Sequence, residues 1–463
     1  MQRNYDELAE KADALGKTQD DGPEANPWPV LNKNALSGVA GRIVEAACER
    51  SEADPAAVLA SVLAWFGTSF GSTPHVMVGD TKHFSRLFCF KVGATSRARK
   101  GTSEDPPKRI FRRAEALEIQ GARPTPLVVS PGPLSTGEGL VRAVRDPTEE
   151  VDDDGQPIDP GVTDKRLLVI EGELGAPLKA AQREGNTLSA IMRVAFDSGD
   201  IAPLTKSNRI KATGAHISVI GHITRQELMQ LLRTVDIWNG FSNRVLWFCV
   251  RRPKWVPFPE PMDDENVEAL ACEVRAILDR AQEIGRVTWS GEARLQWTKL
   301  YPLISVEEAG AFGAVTARAE ALLQRLSLTY ALIDKSDVIE HRHFLAATAV
   351  WEYAKASARL IFEGASEDSS QTKVLQLLEI APLTQSQLNT AFGGHLKSFR
   401  LKGLLEDLQA SGVIRAATEK TSGRPVTTWS LVPESARNAE KAKEAVNRPA
   451  YSANSAYSAG GES

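Results

Sequence analysis

The sequence predicts an α/β fold with a mainly parallel sheet, followed by a mainly helical segment and a small separate unit. Strand-like apolar runs occur at 75–79, 87–92, 126–130, 166–171, 217–221 and 244–250. Helical patterns lie between some of these runs, for example at 135–145 and 186–197. Strands that alternate with helices favour a parallel, doubly wound sheet.

Composition and pattern divide the 463 residues into five segments. These are a flexible N-terminal segment (1–29), an α/β core (30–261) with an acidic surface insertion (145–165), a helical subdomain (262–368), a winged-helix domain (369–433) and a disordered tail (434–463). The insertion is predicted because its acidic, proline-containing stretch has almost no large apolar side chains.

The first helices of the core are predicted between 37 and 72. Two stretches with helical apolar spacing are separated by SEADP. Either Ser51 or Asp54 could cap the second helix, and Pro55 suits a first helical turn.

The bulk composition predicts a cytoplasmic, reduced, multidomain protein. A net charge of -4 gives no global basic field, so any nucleic-acid surface must be local. The four cysteines are far apart in sequence, which argues against a disulfide framework and a zinc site. The first residues have no apolar core and no apolar run reaches about 18 residues, so neither a signal peptide nor a membrane span is expected.

The stretch KVGATSRARKGTS, at 91–103, contains the parts of a phosphate-binding loop at a shifted spacing. The usual pattern is G-x-x-x-x-G-K-[ST], whereas Ala98 occupies the second glycine position and the lysine comes one residue late. Backbone N–H groups, a lysine and a hydroxyl group bind phosphate and Mg²⁺ in such loops. The predicted nucleotide contacts are Gly93, Thr95, Arg99, Lys100, Gly101, Thr102 and Ser103. A basic, solvated turn is the alternative interpretation.

Polar residues end two further apolar strands, and an arginine precedes a third. Glu171 and Glu173 end KRLLVIEGEL, where either carboxylate could polarise water or hold Mg²⁺, although a solvated strand end would look the same. His222 and Thr224 end GAHISVIGHIT and are candidate phosphate or water sensors, although a lone histidine is more often structural. Arg244 could act as a finger on a neighbouring subunit's nucleotide, or could pair with a carboxylate.

Two regions are predicted to contact DNA. PLTKSNRIKATG contains Lys206, Arg209 and Lys211 without an acidic residue, although a basic loop is often only solvated surface. From 371 to 432, three helical patterns precede two short strands, which is the element order of a winged helix. Its third helix would enter the major groove and its wing would contact the backbone. The predicted contacts in this domain are Lys397, Arg400, Lys402, Lys420 and Arg424.

Seven stretches, in order, resemble a poorly characterised family of RecA-like P-loop ATPases. They are ANPWPVL, VGATSRARKGTS, STGEGLVRAVRD, DKRLLVIEGELG, REGNTLSAIMRVAFDSGD, ATGAHISVIGHITRQEL and NGFSNRVLWFCVRR. Members are encoded by actinobacterial chromosomes, plasmids and phages, often near primase or replication functions. The resemblance covers roughly 26–433 and implies a RecA-like P-loop NTPase core with ATP and Mg²⁺ as cofactors.

The resemblance also implies roles for individual residues. The family loop typically has the shifted R-K-G-T-S form, so Lys100 and Thr102 match its nucleotide contacts. Glu171 matches the acidic Walker B position and would share Mg²⁺ with Thr102. His222 and Thr224 match the sensor strand, and Arg244 matches the finger. Ala98 departs from the family's usual glycine, and its methyl group could obstruct the approach of phosphate.

These observations predict a cytoplasmic, Mg²⁺-dependent ATPase that self-associates and acts on DNA. It would be a helicase-like motor or a replication accessory of a mobile element, with primase or other replication proteins as further candidate partners. The alternative is a non-hydrolysing winged-helix DNA-binding regulator or initiator with a degenerate nucleotide site. A third possibility makes the winged helix a protein-interaction module.

Overall fold

The computed structural model divides the chain into two units, Met1–Ala365 and Ser366–Ser463. The described residues are 27–93, 100–119, 124–130, 133–183, 185–203, 210–232, 234–308, 310–362, 374–375, 377–378, 380–392, 398–410, 414–419 and 426–432. The predicted disordered tail and nearly all of the predicted N-terminal segment lie outside them.

Twelve strands are described. They are β1 (His75–Val78), β2 (Thr81–His83), β3 (Phe88–Gly93), β4 (Val128–Val129), β5 (Arg166–Glu171), β6 (His216–Thr224), β7 (Val245–Val250), β8 (Arg286–Trp289), β9 (Val338–Ile339), β10 (Leu383–Thr384), β11 (Ile414–Glu419) and β12 (Val426–Leu431).

Helices connect and cover these strands. The α-helices are α1 (Gly38–Glu49), α2 (Pro55–Ser69), α3 (Asp105–Ala116), α4 (Gly137–Ala143), α5 (Gly175–Ala181), α6 (Leu188–Asp197), α7 (Arg225–Leu231), α8 (Thr234–Trp238), α9 (Asp264–Glu283), α10 (Gly291–Ile304), α11 (Gly310–Thr316), α12 (Ala319–Ile333), α13 (His341–Phe362), α14 (Gln385–Ala391) and α15 (Ser398–Ala410). Short 3₁₀ helices occur at Lys33–Ala35, Lys100–Ser103 and Ser242–Arg244.

The central sheet of the first unit has five strands, all parallel, in the spatial order β4-β5-β6-β3-β7. The predicted α/β class with a mainly parallel sheet is therefore confirmed. β3 and β7 are buried along their whole length. Such continuous apolar strands are expected where helices cover both faces of a sheet.

The second helix shows why the chain folds this way locally. The side chain of Asp54 accepts a hydrogen bond from the N–H of Ala56 at 2.9 Å, so Asp54 is the N-cap of α2, and Pro55 is its first residue. α2 packs against β3, β5, β6 and β7, and also against α1 and α3. A helix enclosed on all sides needs apolar residues all round, and nearly every residue of α2 is buried.

A second sheet is separate from the parallel one. Its order is β2-β1-β8-β9, in which β1 pairs with β2 antiparallel and with β8 parallel. The strand-like run at 75–79 thus belongs to this sheet and not to the central one. β8 and β9 come from the segment predicted to be mainly helical, and α13 from the same segment packs against β7.

The predicted acidic insertion at 145–165 is largely exposed. It is held by ion pairs between Arg145 and Asp159 and between Lys165 and Asp146, the second at 2.7 Å. Among the helices that the structure describes, none combines the length and the apolar character of a membrane span.

The second unit has its own apolar core, which includes Val374, Leu388, Leu401, Leu405 and Ile414. Helical residues at 374–380, with gaps, precede α14 and α15. α14 begins with a capping box between Thr384 and Gln387. β11 and β12 then pair antiparallel, and β10 lies on the other edge of β12.

Candidate functional site

Three predicted site residues lie at the carboxyl edge of the central sheet. Gly93 ends β3 and pairs with Thr224 at the end of β6, while Glu171 ends β5 and pairs with Gly221. The chain runs from β3 out to β4, returns through β5 and β6, and then crosses to β7 on the far side of β3. Ligands of open α/β sheets bind outside the carboxyl ends of the strands where the strand order reverses. The end of β3 is such a place.

The predicted phosphate loop starts at this point. Thr95, Arg99 and the side chain of Lys100 lie outside the described part of the chain. The Lys100–Ser103 3₁₀ helix follows, with Gly101 exposed and Thr102 half-buried. Thr102 also lines a cavity of about 250 Å³ between the C-terminus of α1, the N-terminus of α3 and residues 259–266.

The helix after the loop is a poor source of hydrogen-bond donors. α3 begins Asp105-Pro106-Pro107. Proline has no N–H group, and the Asp105 carboxylate repels an anion. Backbone donors for a phosphate group must therefore come from the loop and the 3₁₀ helix.

Behind the loop, Lys91 is fully buried on β3. Its Nζ atom donates to the hydroxyl of Ser103 at 2.8 Å, to the hydroxyl of Ser61 on α2, and to Oε1 of Glu104. A lysine ammonium has three donors, so all of them are used. Lys91 thereby connects the central strand with α2 and with the end of the loop.

The Glu104 carboxylate is hydrogen-bonded through one oxygen only. Oε1 accepts from Lys91, from the Ser61 hydroxyl at 2.8 Å and from Nε2 of His222 at 3.0 Å. Oε2 is buried and has no hydrogen-bond partner among the described residues. Most buried polar atoms in native proteins have a partner, so this oxygen requires an explanation.

Electrostatics keep this cluster charged. Burial alone would raise the pKa of Glu104, but the charge of Lys91 and the contact with His222 outweigh burial and hold the pKa at about 2. Burial lowers the pKa of Lys91, and the charge of Glu104 opposes that change. The favoured state is an ammonium–carboxylate pair, because each charge compensates the desolvation of the other.

The two candidate carboxylates, Glu171 at the end of β5 and Glu173 two residues later, differ in environment. Glu171 is buried, and its Oε1 accepts from the N–H of Leu134 at 2.6 Å. Burial raises the pKa of Glu171, and the Leu134 hydrogen bond opposes this rise. Glu173 is exposed.

Register separates Glu171 from His222. His222 pairs with Lys91 and Glu171 pairs with Gly221, one residue earlier on β6. Successive side chains of a strand point to opposite faces, so His222 and Lys91 lie on one face and Glu171 on the other. The hydroxyl of Thr224 accepts from the N–H of Glu227 at 3.2 Å and caps α7.

Arg244 lies at the opposite, amino-terminal end of the parallel strands, just before β7. Its guanidinium is buried and forms an ion pair with Asp197, which also pairs with Arg318 at 2.7 Å. Arg244 also donates to the carbonyl oxygen of Gly240. Pairing with a carboxylate was one of the two possibilities for this residue, and the finger role remains a prediction.

Few of the predicted DNA contacts have described side chains. Lys211 is exposed, and its Nζ atom lies 2.8 Å from Oε1 of Glu149. On α15, Nζ of Lys402 lies 3.7 Å from Oε1 of Glu406. Such exposed pairs contribute little to stability and can open for a phosphate group. The other predicted contacts lie outside the described residues or side chains: Lys206, Arg209, Lys397, Arg400, Lys420 and Arg424.

The described residues contain no group of three or more His, Cys, Asp or Glu side chains able to hold a metal ion. Mg²⁺ is commonly bound through one or two carboxylates together with substrate phosphates and water. The N–H of Leu134 occupies Oε1 of Glu171, and Oε2 is the oxygen that would suit Mg²⁺. Thr102 and Glu171 are thus chemically suitable ligands.

Sequence reasoning missed Ser61, Lys91 and Glu104. Lys91 carried a usable signal, because FCFKVG is otherwise a continuous apolar strand and a lysine inside such a strand needs a buried partner. Nothing in the sequence identifies that partner as Glu104.

Searches of protein-family models and of curated proteins find no match to this chain.

Proposed function

We propose that the chain is a cytoplasmic, Mg²⁺-dependent ATPase of RecA-like type that acts on DNA, as a helicase-like motor or replication accessory. One observation carries the proposal. β6 lies between the glycine-ended strand β3 and the acid-ended strand β5 in an all-parallel sheet, with all three ends at one edge. That edge is where an open α/β sheet binds its ligand.

The proposed site uses the residues of this edge. Gly93, Lys100 and Gly101 would approach the phosphate groups, and Thr102 with Glu171 would hold Mg²⁺. The metal ion neutralises charge that develops on the transferring phosphoryl group. Glu171 would also orient the attacking water, and its buried position supports this role because a preorganised carboxylate needs no rearrangement during the reaction.

The DNA and subunit contacts belong to the same proposal. Three helical segments followed by the β11–β12 pair support a winged helix in the second unit, with α15 in the major groove. Lys206, Arg209 and Lys211 would contact the DNA backbone. Arg244 from an adjacent subunit would complete the nucleotide site, for which its pair with Asp197 must open.

The test is ATP hydrolysis by the full chain with Mg²⁺, alone and with single-stranded or duplex DNA. We expect DNA-stimulated hydrolysis that is lost in Lys100→Ala and kept in Lys82→Ala, a matched removal of an exposed lysine on β2. Equal hydrolysis by all three proteins would show that the activity does not use the 93–103 loop.

The second candidate is a non-hydrolysing DNA-binding regulator or initiator. The two prolines in the first turn of α3 favour it, because they remove N–H donors at the place where phosphate loops usually provide them. Salt-dependent binding to duplex DNA without hydrolysis under any of these conditions would support this candidate and refute the ATPase.

A further inference from the structure

Glu104 connects the end of the loop with two central strands. It directly follows Lys100–Ser103 in sequence and is the N-cap residue of α3. Its Oε1 atom contacts Ser61 on α2, Lys91 on β3 and His222 on β6. A buried carboxylate directly after the loop's last residues thus bridges α2, β3 and β6.

His222 is directed at this carboxylate. Its Nε2 atom lies 3.0 Å from Oε1 of Glu104, and the ring is almost completely buried. Because an ionised carboxylate only accepts hydrogen bonds, Nε2 must carry the proton and donate it. The Nε2–H group of His222 is thus committed to Glu104 and not to a phosphate or water molecule.

The unequal hydrogen bonding of Glu104 argues against a purely structural ion pair. Three donors converge on Oε1, whereas Oε2 is buried without a partner among the described residues. A carboxylate that served only stability would be expected to have both oxygens bonded. The bonds on Oε1 instead fix the direction of the Glu104 side chain, and with it the adjoining loop backbone.

We propose that Glu104 is a positioning residue that aligns Lys100–Ser103 for phosphate, and that His222 acts through Glu104 instead of contacting the nucleotide. This inference rests on the proposed ATPase function. It predicts that the effects of substituting Glu104 and His222 on turnover are not independent, because Glu104→Gln removes the charge to which His222 donates and His222→Phe removes the donor.

The experiment compares Glu104→Gln, His222→Phe, His222→Gln and the double variant Glu104→Gln/His222→Phe. Turnover is expressed per nucleotide-binding site, counted by titration with a fluorescent ATP analogue, so that misfolded protein does not contribute. We expect Glu104→Gln to lower this turnover by about 10- to 100-fold, which is the scale of a small misalignment of reacting groups. His222→Gln should retain most activity, because its amide N–H can replace Nε2 as a donor.

The double variant decides the matter. If His222 acts through Glu104, adding His222→Phe to Glu104→Gln should change turnover by less than about 3-fold, although His222→Phe alone lowers it about 10-fold. Effects that multiply would overturn the inference, since they would mean that His222 contributes separately. The matched control is His216→Gln, which replaces a buried histidine at the other end of β6 whose Nε2 lies 2.8 Å from the carbonyl oxygen of Gly67. It should leave turnover unchanged.

The activity of the wild-type protein distinguishes failure of the proposed function from failure of this inference. Wild-type protein that does not hydrolyse ATP refutes the proposed function together with this inference, whereas active wild type with multiplicative effects refutes the inference alone. Should Glu104→Gln not fold, Lys91→Met/Glu104→Gln removes both buried charges and takes its place in the same comparison.

Discussion

Replacing Lys91 by methionine tests whether the buried ion pair is as important for folding as its contacts indicate. Methionine matches the length of lysine and is apolar, so the cavity stays filled. The change removes the positive charge beside Glu104 and the hydrogen bond to Ser103. Glu104 would keep only Ser61 and His222 as partners, with its charge still buried.

The expected loss of stability is large. Breaking a buried ion pair by removing one partner costs about 3–5 kcal/mol, because it leaves an uncompensated charge. The unfolding entropy is about 2.1 cal/mol/K per residue, or about 0.7 kcal/mol/K for the roughly 340 residues from 27 to 365. Tm should therefore fall by about 4–7 °C.

The assay is thermal unfolding at neutral pH, followed by circular dichroism. Lys91→Met/Glu104→Gln provides the comparison, because replacing both charges is commonly far less costly than removing one. We expect the double variant to recover most of the lost Tm. A fall of less than about 1 °C in Lys91→Met would refute the reasoning, as would a double variant less stable than the single one.

Three further predictions concern acid stability, subunit contacts and DNA. Burial lowers the pKa of His216 to about 3, so between pH 6.5 and pH 3 this histidine binds a proton only in the unfolded state. The free energy of unfolding must therefore fall as the pH falls, by about 1.4 kcal/mol at pH 5.5. His216→Gln removes this effect and should reduce the difference in Tm between pH 7.5 and pH 5.5 by about 2 °C. If Arg244 acts as a finger on a neighbouring subunit, mixing the two inactive variants Arg244→Ala and Lys100→Ala should restore ATP hydrolysis, because one supplies Lys100 and the other Arg244. If Arg244 is purely structural, the mixture should stay inactive and Arg244→Ala should only have a lower Tm. The logarithm of the binding constant for duplex DNA should fall linearly with the logarithm of the salt concentration, with a slope near −0.9 per neutralised phosphate. A chain ending at residue 365 should lose duplex binding, and unchanged affinity would move the DNA site to 204–213.

The sequence predicted the central sheet because its signals are local. Each strand of that sheet is an apolar run, and β3, β5 and β6 end in the glycine or polar residues that were singled out. The second sheet could not be predicted in this way. It joins His75–Val78 to Arg286–Trp289, and such pairing depends on how α12 and the surrounding chain pack, not on either segment alone.

The candidate site was predicted in part for the same reason. Glu171 and Thr224 follow from strand ends, and Asp54 was one of two caps that spacing allowed. By contrast, the acceptor of the His222 hydrogen bond, Oε1 of Glu104, depends on the placement of α2, β3 and α3 together. Charge complementarity between Lys91 and Glu104 requires that tertiary placement, even though the two residues are only 13 apart in sequence.

The shifted loop spacing and the buried lysine are physically connected. If the 93–103 loop binds phosphate as proposed, the prolines after Asp105 remove N–H donors from the start of α3. The position of the Lys100–Ser103 turn would then matter more than in a loop that leads directly into a helix with free N–H groups. Ser103 and Glu104 hold the end of the turn against Lys91. We therefore expect a substitution of the buried Lys91, two residues before Gly93 on β3, to affect the proposed phosphate binding through the position of this turn.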